Sequence, residues 1–186
     1  MCPAPNSSID EAAISTNRRQ RIPFKIDEWV VHPQHGIGRV MKLETRQFAP
    51  GTARLYYEIA LTKGTIWVPV EAHANGLRKL TPKGDLARYR GVLKSRPKPL
   101  ATDHRRRQLE LTDRMKESSF GARCEIVRDL TAHSWPKPLG ESSAGLLRLA
   151  HEVLDQEWAA AEGLSLTEAA HEVQALLLEG RQKYEK

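Results

Sequence analysis

The chain has 186 residues, of which 40% are hydrophobic and 28% charged, and its formal net charge is +6. This length suits one or two domains, and no apolar run approaches the roughly 20 residues of a membrane helix. The N-terminus lacks the apolar stretch of a secretory signal, and Cys2 and Cys124 lack metal-ligand spacing. We therefore expect a cytoplasmic protein with no disulfide framework, no metal and no other cofactor.

The first stretch of the chain has the composition of a disordered tail. Residues 1–22 are rich in Ser, Asn, Ala and Pro, show no periodicity, and contain the basic run Arg18–Arg21. Such a segment buries too little apolar surface to fold. We predict a disordered basic tail over 1–22 and a short second tail over 181–186.

A β-hairpin is predicted where two β-branched runs flank a turn. Val30 and Val31 precede Pro33 and Gly36, and Ile37 begins the second run. Pro33 fixes φ, Gly36 accepts a positive φ, and β-branched residues suit a half-buried strand.

Further strand-forming runs follow as far as residue 70. They are Arg39–Phe48, Arg54–Leu61 and Thr65–Val70, with a turn signal at residues 49–52. Pro69 cannot donate to a central ladder, so its strand should lie at an edge of the sheet. Short strands at this spacing predict a small barrel or a bent antiparallel sheet over residues 23–80.

After Leu80 the apolar period becomes helical, which predicts an all-α bundle of about five helices over residues 81–180. Thr81 followed by Pro82 is a typical helix start, with Thr81 as the N-cap. Later helices have candidate caps at Thr102 or Asp103 and at Ser118 or Ser119, and a fourth helix is predicted from about Ser142 or Ser143. Ser165 and Glu168 have the spacing of a capping box before the last helix. The fold class is therefore α+β with two domains.

Positive charge is concentrated in one part of the chain. Residues 83–107 hold nine basic residues against two acidic ones, a local net charge of +7. A localised basic face is what phosphate binding requires, because neutralised phosphates release counterions. A solvated helix surface would give the same composition.

The sequence offers no constellation that supports catalysis, so we predict that the protein is not an enzyme. His32 and His35 stand three apart in a turn without a third ligand, and the other histidines are dispersed. The pair Gly36 and Gly38 lacks a third glycine and opens no helix, so it is not a phosphate loop. No serine lies in a nucleophile-elbow context.

Three motifs stand in order along the chain. The first is FKIDEWVVHPQHGIGRV at residues 24–40, the second is VPVE at 68–71 followed by GLRK at 76–79, and the third is EIVRDL at 125–130. Together they resemble the CarD/CdnL family of bacterial transcription regulators, and the first resembles the opening of the RNA-polymerase-interacting domain that this family shares with the transcription-repair coupling factor. The resemblance covers roughly residues 24–180.

The resemblance implies a Tudor-like β module that binds the RNA polymerase β subunit, joined to a helical domain that binds promoter DNA. Family members contact the minor groove and phosphates at the upstream edge of the transcription bubble and stabilise the open complex. A protein that prefers opened DNA shifts the population toward it. By the same resemblance we expect a monomer without membrane contact, associated with the nucleoid through polymerase.

The resemblance also transfers site residues to this chain. For polymerase it implies Arg46 and Trp67, together with Val68 and Pro69, although Trp67 between Ile66 and Val68 fits a core position equally well. For DNA it implies His104, Arg105, Arg106 and Arg107, with Lys98 nearby.

At one DNA position the chain departs from the family. His104 stands where the family carries a tryptophan that wedges into the minor groove. An imidazole stacks or hydrogen-bonds, but it inserts less apolar surface.

Two alternatives of other classes remain open at this point. One is a nucleic-acid-binding module that acts independently of polymerase. The other is a protein–protein adaptor in which the arginine triplet is only solvated surface. Co-purification of polymerase separates the first from the family interpretation, and binding of forked DNA separates the second.

Overall fold

A computed structural model describes residues 22–48, 52–71, 76–117 and 119–184 of the chain. Residues 1–21 of the tail predicted over 1–22, and residues 49–51 of the turn predicted at 49–52, lie outside this part. The described strands are β1 (Trp29–His32), β2 (Gly36–Arg46), β3 (Arg54–Leu61), β4 (Gly64–Pro69) and β5 (Arg78–Lys79). A 3-10 turn (Lys83–Asp85) leads into α1 (Leu86–Lys94), α2 (His104–Lys116), α3 (Phe120–His133), α4 (Glu141–Glu162) and α5 (Leu166–Tyr184). The α+β architecture is confirmed.

The five strands form one antiparallel sheet in the order β4-β3-β2-β1-β5. The sheet is open, with β4 at one edge, so Pro69 lies on an edge strand as predicted. Its apolar face packs around Val30, Val40, Tyr57 and Ile59, each at most 1% exposed. The hairpin between β1 and β2 is also confirmed, and Gly36 has φ +74°, which explains a glycine at that turn.

The helices enclose a second core that is separate from that of the sheet. Trp158 of α4 is fully buried, and it contacts the ring of Phe120 with centroids 5.9 Å apart. Leu130 and Leu154 are likewise 0% exposed. These residues stand at helical spacing on α3 and α4, so each of the two helices turns one apolar face to the core.

Several predicted caps are confirmed. Asp103 Oδ1 accepts the N–H of Arg106 at 2.7 Å, and Ser119 Oγ accepts the N–H of Ala122 at 3.1 Å. Ser165 and Glu168 form the reciprocal capping box, with Ser165 N–H donating to Glu168 Oε2 at 2.9 Å and Glu168 N–H donating to Ser165 Oγ at 3.2 Å. The alternative cap at Ser118 lies outside the described residues.

One predicted helix start is wrong. Pro82 precedes the 3-10 turn without a side-chain cap, and the hydroxyl of Thr81 donates to Glu157 Oε1 at 2.6 Å. The buried carboxylate of Glu157 on α4 therefore accepts the hydroxyl that was expected to cap the helix locally. The fourth helix begins at Glu141, next to its predicted start at about Ser142 or Ser143, and Gly140 is its cap residue.

The sheet and the bundle are joined through Glu157, which is 0% exposed. Arg78 of β5 donates to both carboxylate oxygens of Glu157, each at 2.6 Å. The hydroxyl and N–H of Thr81 donate to Oε1 at 2.6 and 3.3 Å. A bidentate charged pair of this kind has fixed geometry, so it sets the position of the sheet on α4.

Candidate protein and nucleic-acid interfaces

The outer face of the sheet carries an arginine stacked on a tryptophan. The guanidinium carbon of Arg46 lies 3.6 Å from the ring centroid of Trp67, and Arg46 Nη2 lies 3.4 Å from Glu44 Oε2. Trp67 pairs with Glu58 of β3, whereas its neighbour Val68 pairs with Tyr57 on the core side. Trp67 is therefore a half-buried residue of the outer face, and the alternative that placed it in the core is excluded.

Two further aromatic rings extend this outer face. Phe48 is 58% exposed, and its ring lies 4.9 Å from that of Tyr56 and 6.4 Å from that of Trp67, centroid to centroid. Together with Arg46 they form what we call the aromatic face. Sequence reasoning missed Phe48 and Tyr56, since only the pairing of β3 with β4 and the ring contacts of Phe48 show that they share a surface with Trp67.

The backbone of β4 is available at the sheet edge. Val70 N–H donates to the carbonyl of Leu55 at 2.9 Å. Because hydrogen-bonded and non-hydrogen-bonded pairs alternate in an antiparallel ladder, Val68 directs its backbone groups to β3, and Thr65 and Trp67 direct theirs to the open edge. This edge can accept an additional strand.

The remaining two predicted polymerase residues have different environments. The side chain of Val68 is 6% exposed and belongs to the sheet core, so it can stabilise the edge strand but offers no side chain to a partner. Pro69 is the last residue of β4 and lies opposite Tyr56 on the outer face. Since proline has no N–H, the row of edge donors ends at Trp67.

The predicted DNA residues gather at the N-terminus of α2. The cap at Asp103 fixes the start of this 13-residue helix, and His104 and Arg105 are its first two residues. Both side chains are exposed, and neither makes a hydrogen bond or ion pair within the part of the chain that the structure describes. The free N–H groups of a helix start favour a phosphate there.

The other three basic residues are engaged within the protein. Arg106 Nε pairs with Glu110 Oε1 at 2.8 Å on the helix surface. Arg107 Nη1 donates to the carbonyl of Ala101 at 2.7 Å, so this arginine fastens the loop that precedes α2. Lys98 Nζ lies 2.8 Å from Glu125 Oε2, and this hydrogen bond lowers the pKa of the Glu125 carboxyl.

The EIVRDL motif holds the loop that presents these residues. Asp129 is 1% exposed, and its Oδ1 accepts the N–H of Lys98 at 2.9 Å and Arg128 Nε at 2.8 Å. Its Oδ2 lies 3.0 Å from Arg114 Nη2 on α2. The motif thus ties the α1–α2 loop and α2 to α3, which gives it a positioning role.

The two histidines of the β1–β2 turn organise the turn backbone. His32 Nδ1 accepts the N–H groups of Gln34 and His35 at 3.2 and 3.3 Å. Nδ1 must be unprotonated to accept, and burial together with the neighbouring His35 lowers the pKa of His32. Within the described residues no group of three or more His, Cys, Asp or Glu side chains is placed to hold a metal ion.

This turn gives the protein a predictable pH dependence. The folded state lowers the pKa of His32 below its ordinary value of 6.5. Neutral His32 therefore contributes its full stabilisation to the fold above about pH 6.5, and this contribution is lost as the pH falls through the pKa that His32 has in the folded protein. We expect the urea midpoint to fall between pH 7.5 and 5.5, and to fall less in His32→Gln. The lowered carboxyl pKa of Glu28 acts only below this window, since its ordinary value is 4.5. An equal fall of the urea midpoint in the wild type and in His32→Gln would contradict this role of His32.

Comparison with known families covers both halves of the chain. Residues 24–81 match the model of the CarD-like/TRCF RID domain, and residues 89–174 match the CarD C-terminal domain. The chain is also 23% identical over 144 residues to a Bacillus subtilis (strain 168) protein named "Putative transcription factor YdeB". That alignment spans 76% of this chain and 94% of the relative.

Among the described helices, none combines the length and apolarity needed to cross a membrane.

Proposed function

Since the chain belongs to the CarD family of transcription factors, we propose that it binds the β subunit of RNA polymerase and promoter DNA at the upstream edge of the bubble, and that it stabilises the open complex. The observation that carries this proposal is the open β4 edge with Arg46 stacked on Trp67 beside it. A transcription factor whose interaction domain has a free edge strand can bind its partner through the backbone.

The polymerase contact is proposed as strand addition at β4. The outward backbone groups of Thr65 and Trp67 would pair with an edge strand of the β subunit. Arg46 and Trp67 would pack on that strand, since stacked aromatic and guanidinium groups are typical anchors of protein interfaces. Backbone pairing supplies affinity, and the aromatic face supplies specificity.

The DNA contact is proposed at the start of α2. Arg105 is free to meet a phosphate, the helix N-terminus points in the same direction, and Arg106 can exchange its exposed Glu110 partner for DNA. His104 occupies the wedge position of the family and would stack on or hydrogen-bond to the DNA. Arg107 and Lys98 serve chiefly to shape the loop, since their side chains already have partners there.

Stabilisation follows from differential binding and requires no chemical step. A protein that binds the open complex more tightly than the closed complex shifts the equilibrium by its difference in affinity. Tethering by polymerase raises the effective DNA concentration, so a modest DNA contact suffices.

The direct test is the lifetime of the open complex on a promoter of the host organism, measured after competitor challenge with and without the protein. We expect the lifetime to lengthen in its presence, and His104→Trp to lengthen it further because the larger ring inserts more apolar surface. An unchanged or shortened lifetime at saturating protein would overturn the proposed function.

The DNA contact has its own prediction. Arg105→Gln should weaken binding to forked promoter DNA and reduce the slope of log affinity against log salt by about 1, the value for one phosphate contact. The matched control is Lys63→Gln, which removes one charge from the exposed turn between β3 and β4. Equal slopes for the wild type and Arg105→Gln would remove Arg105 from the DNA interface.

A further inference from the structure

A cleft lies where the β1–β2 turn meets the bundle. Its volume is about 440 Å³, and it is bounded by the turn on one side and by α2, α3 and α4 on the others. This is within the range of small-molecule sites in proteins. It is distinct from the open β4 edge and from the start of α2.

Arg123 of α3 lines the cleft, and two of its three guanidinium nitrogens have no hydrogen-bond partner among the described residues. The residue is 2% exposed, and its Nε and Nη1 atoms make no hydrogen bond within the described part of the chain. Burial lowers its pKa, although the nearby Glu157 opposes that shift. Buried guanidinium groups are almost always paired, because an unpaired one gives up its hydration without compensation.

The nearby carboxylate does not compensate this charge. Glu157 already accepts two hydrogen bonds from Arg78 and two from Thr81, and no ion pair joins it to Arg123. Two arginines and one glutamate leave one positive charge in excess at this buried position. An anion entering the cleft would neutralise it.

The residues that line the cleft indicate the chemistry of the remainder of an anionic ligand. Met115 of α2 and three residues of α4, Leu146, Leu149 and Val153, supply an apolar lining, and Leu149 is 47% exposed. Lys116 adds a second cation to the lining, with its ammonium 2.8 Å from Asp113. An apolar wall with a buried cation matches a molecule that has an apolar body and one anionic end.

We propose that this cleft binds a small anionic amphiphile, with its carboxylate at Arg123 and its apolar body against Met115, Leu146, Leu149 and Val153. The chemical class is that of medium-chain carboxylates. A nucleic-acid phosphate does not fit the same description, because its neighbours are polar and the cleft wall is apolar. The occupied cleft would hold the turn, α2, α3 and α4 in contact with one molecule.

The first experiment uses 1-anilinonaphthalene-8-sulfonate, a fluorescent anion with an apolar body, on the full chain. We expect saturable binding to the wild type, at least tenfold weaker binding to Arg123→Met, and unchanged binding to the control Lys79→Met, which removes an exposed cation from β5. Decanoate should displace the probe at concentrations at least tenfold below those needed for decanol. Equal probe affinity for the wild type and Arg123→Met would overturn the proposal, as would equal displacement by decanol.

The second experiment needs no variant, so a folding defect in Arg123→Met cannot obscure the answer. Decanoate should raise the thermal midpoint of the wild type in a concentration-dependent way, and decanol at the same concentrations should raise it less. Equal shifts would show an apolar site without anion recognition and would overturn the proposal. Open-complex lifetimes do not enter either readout, so the outcome is independent of the proposed function.

Discussion

Glu157→Ala is expected to lower the free energy of unfolding by about 3–5 kcal/mol, the usual consequence of removing one member of a buried charged pair. Glu157 is 0% exposed and receives four hydrogen bonds, two from Arg78 and two from Thr81. The substitution leaves the Arg78 side chain, 24% exposed, without this carboxylate and removes the nearby negative charge from Arg123. Urea unfolding followed by circular dichroism measures the effect.

Two variants separate the possible sources of this loss. Glu157→Gln keeps an acceptor for Thr81 and the shape of the side chain, so it should lose about 1.5–3 kcal/mol, the value of a hydrogen bond to a charged group. Glu152 lies on the same helix, and among the described residues its ion-pair partner is the exposed Lys63 at 3.7 Å, so Glu152→Ala should change stability by less than about 1 kcal/mol. A Glu157→Ala effect no larger than that of Glu152→Ala would show that the junction does not depend on this pair.

Glu157 also explains why the helix start at Thr81 was predicted wrongly from the sequence. Thr81 followed by Pro82 is a good local helix start, yet the Thr81 hydroxyl bonds Glu157, a residue 76 positions away. Local capping and a distant buried acceptor compete for one hydroxyl, and the sequence shows only the first. By contrast, Asp103 and Ser165 cap their helices as predicted, each by accepting a backbone N–H three residues further along the chain.

The sequence assigned the same predicted role to two arginines that have different environments in the structure. The family resemblance implied DNA binding for both Arg105 and Arg107, yet among the described residues the side chain of Arg105 has no partner, whereas that of Arg107 fastens its own loop. The distinction depends on the carbonyl of Ala101, which a sequence does not place in space. Similarly, Trp67 fitted both a core and a surface position until the pairing of β3 with β4 put it on the outer face.

Arg46→Glu is expected to abolish polymerase pull-down and to raise the dissociation constant at least about 30-fold, a loss of about 2 kcal/mol or more. Arg46 is stacked on Trp67 at the edge where we propose that the β subunit binds. A carboxylate there removes the cation–π contact, faces the π-electrons of the indole, and lies beside Glu44. The charge of the aromatic face would change by two units at its centre.

A fold defect would not account for that result, because Arg46 lies on the outer face and its side chain is 40% exposed. The matched control is Lys79→Glu, which makes the same charge change on β5 at the opposite edge of the sheet, where the side chain is 64% exposed. The control should retain polymerase, and both variants should bind forked DNA as the wild type does. If Arg46→Glu retained polymerase while Trp67→Ala lost it, the tryptophan and the β4 backbone alone would form the contact. If both retained it, the interface would have to lie on another face of the sheet.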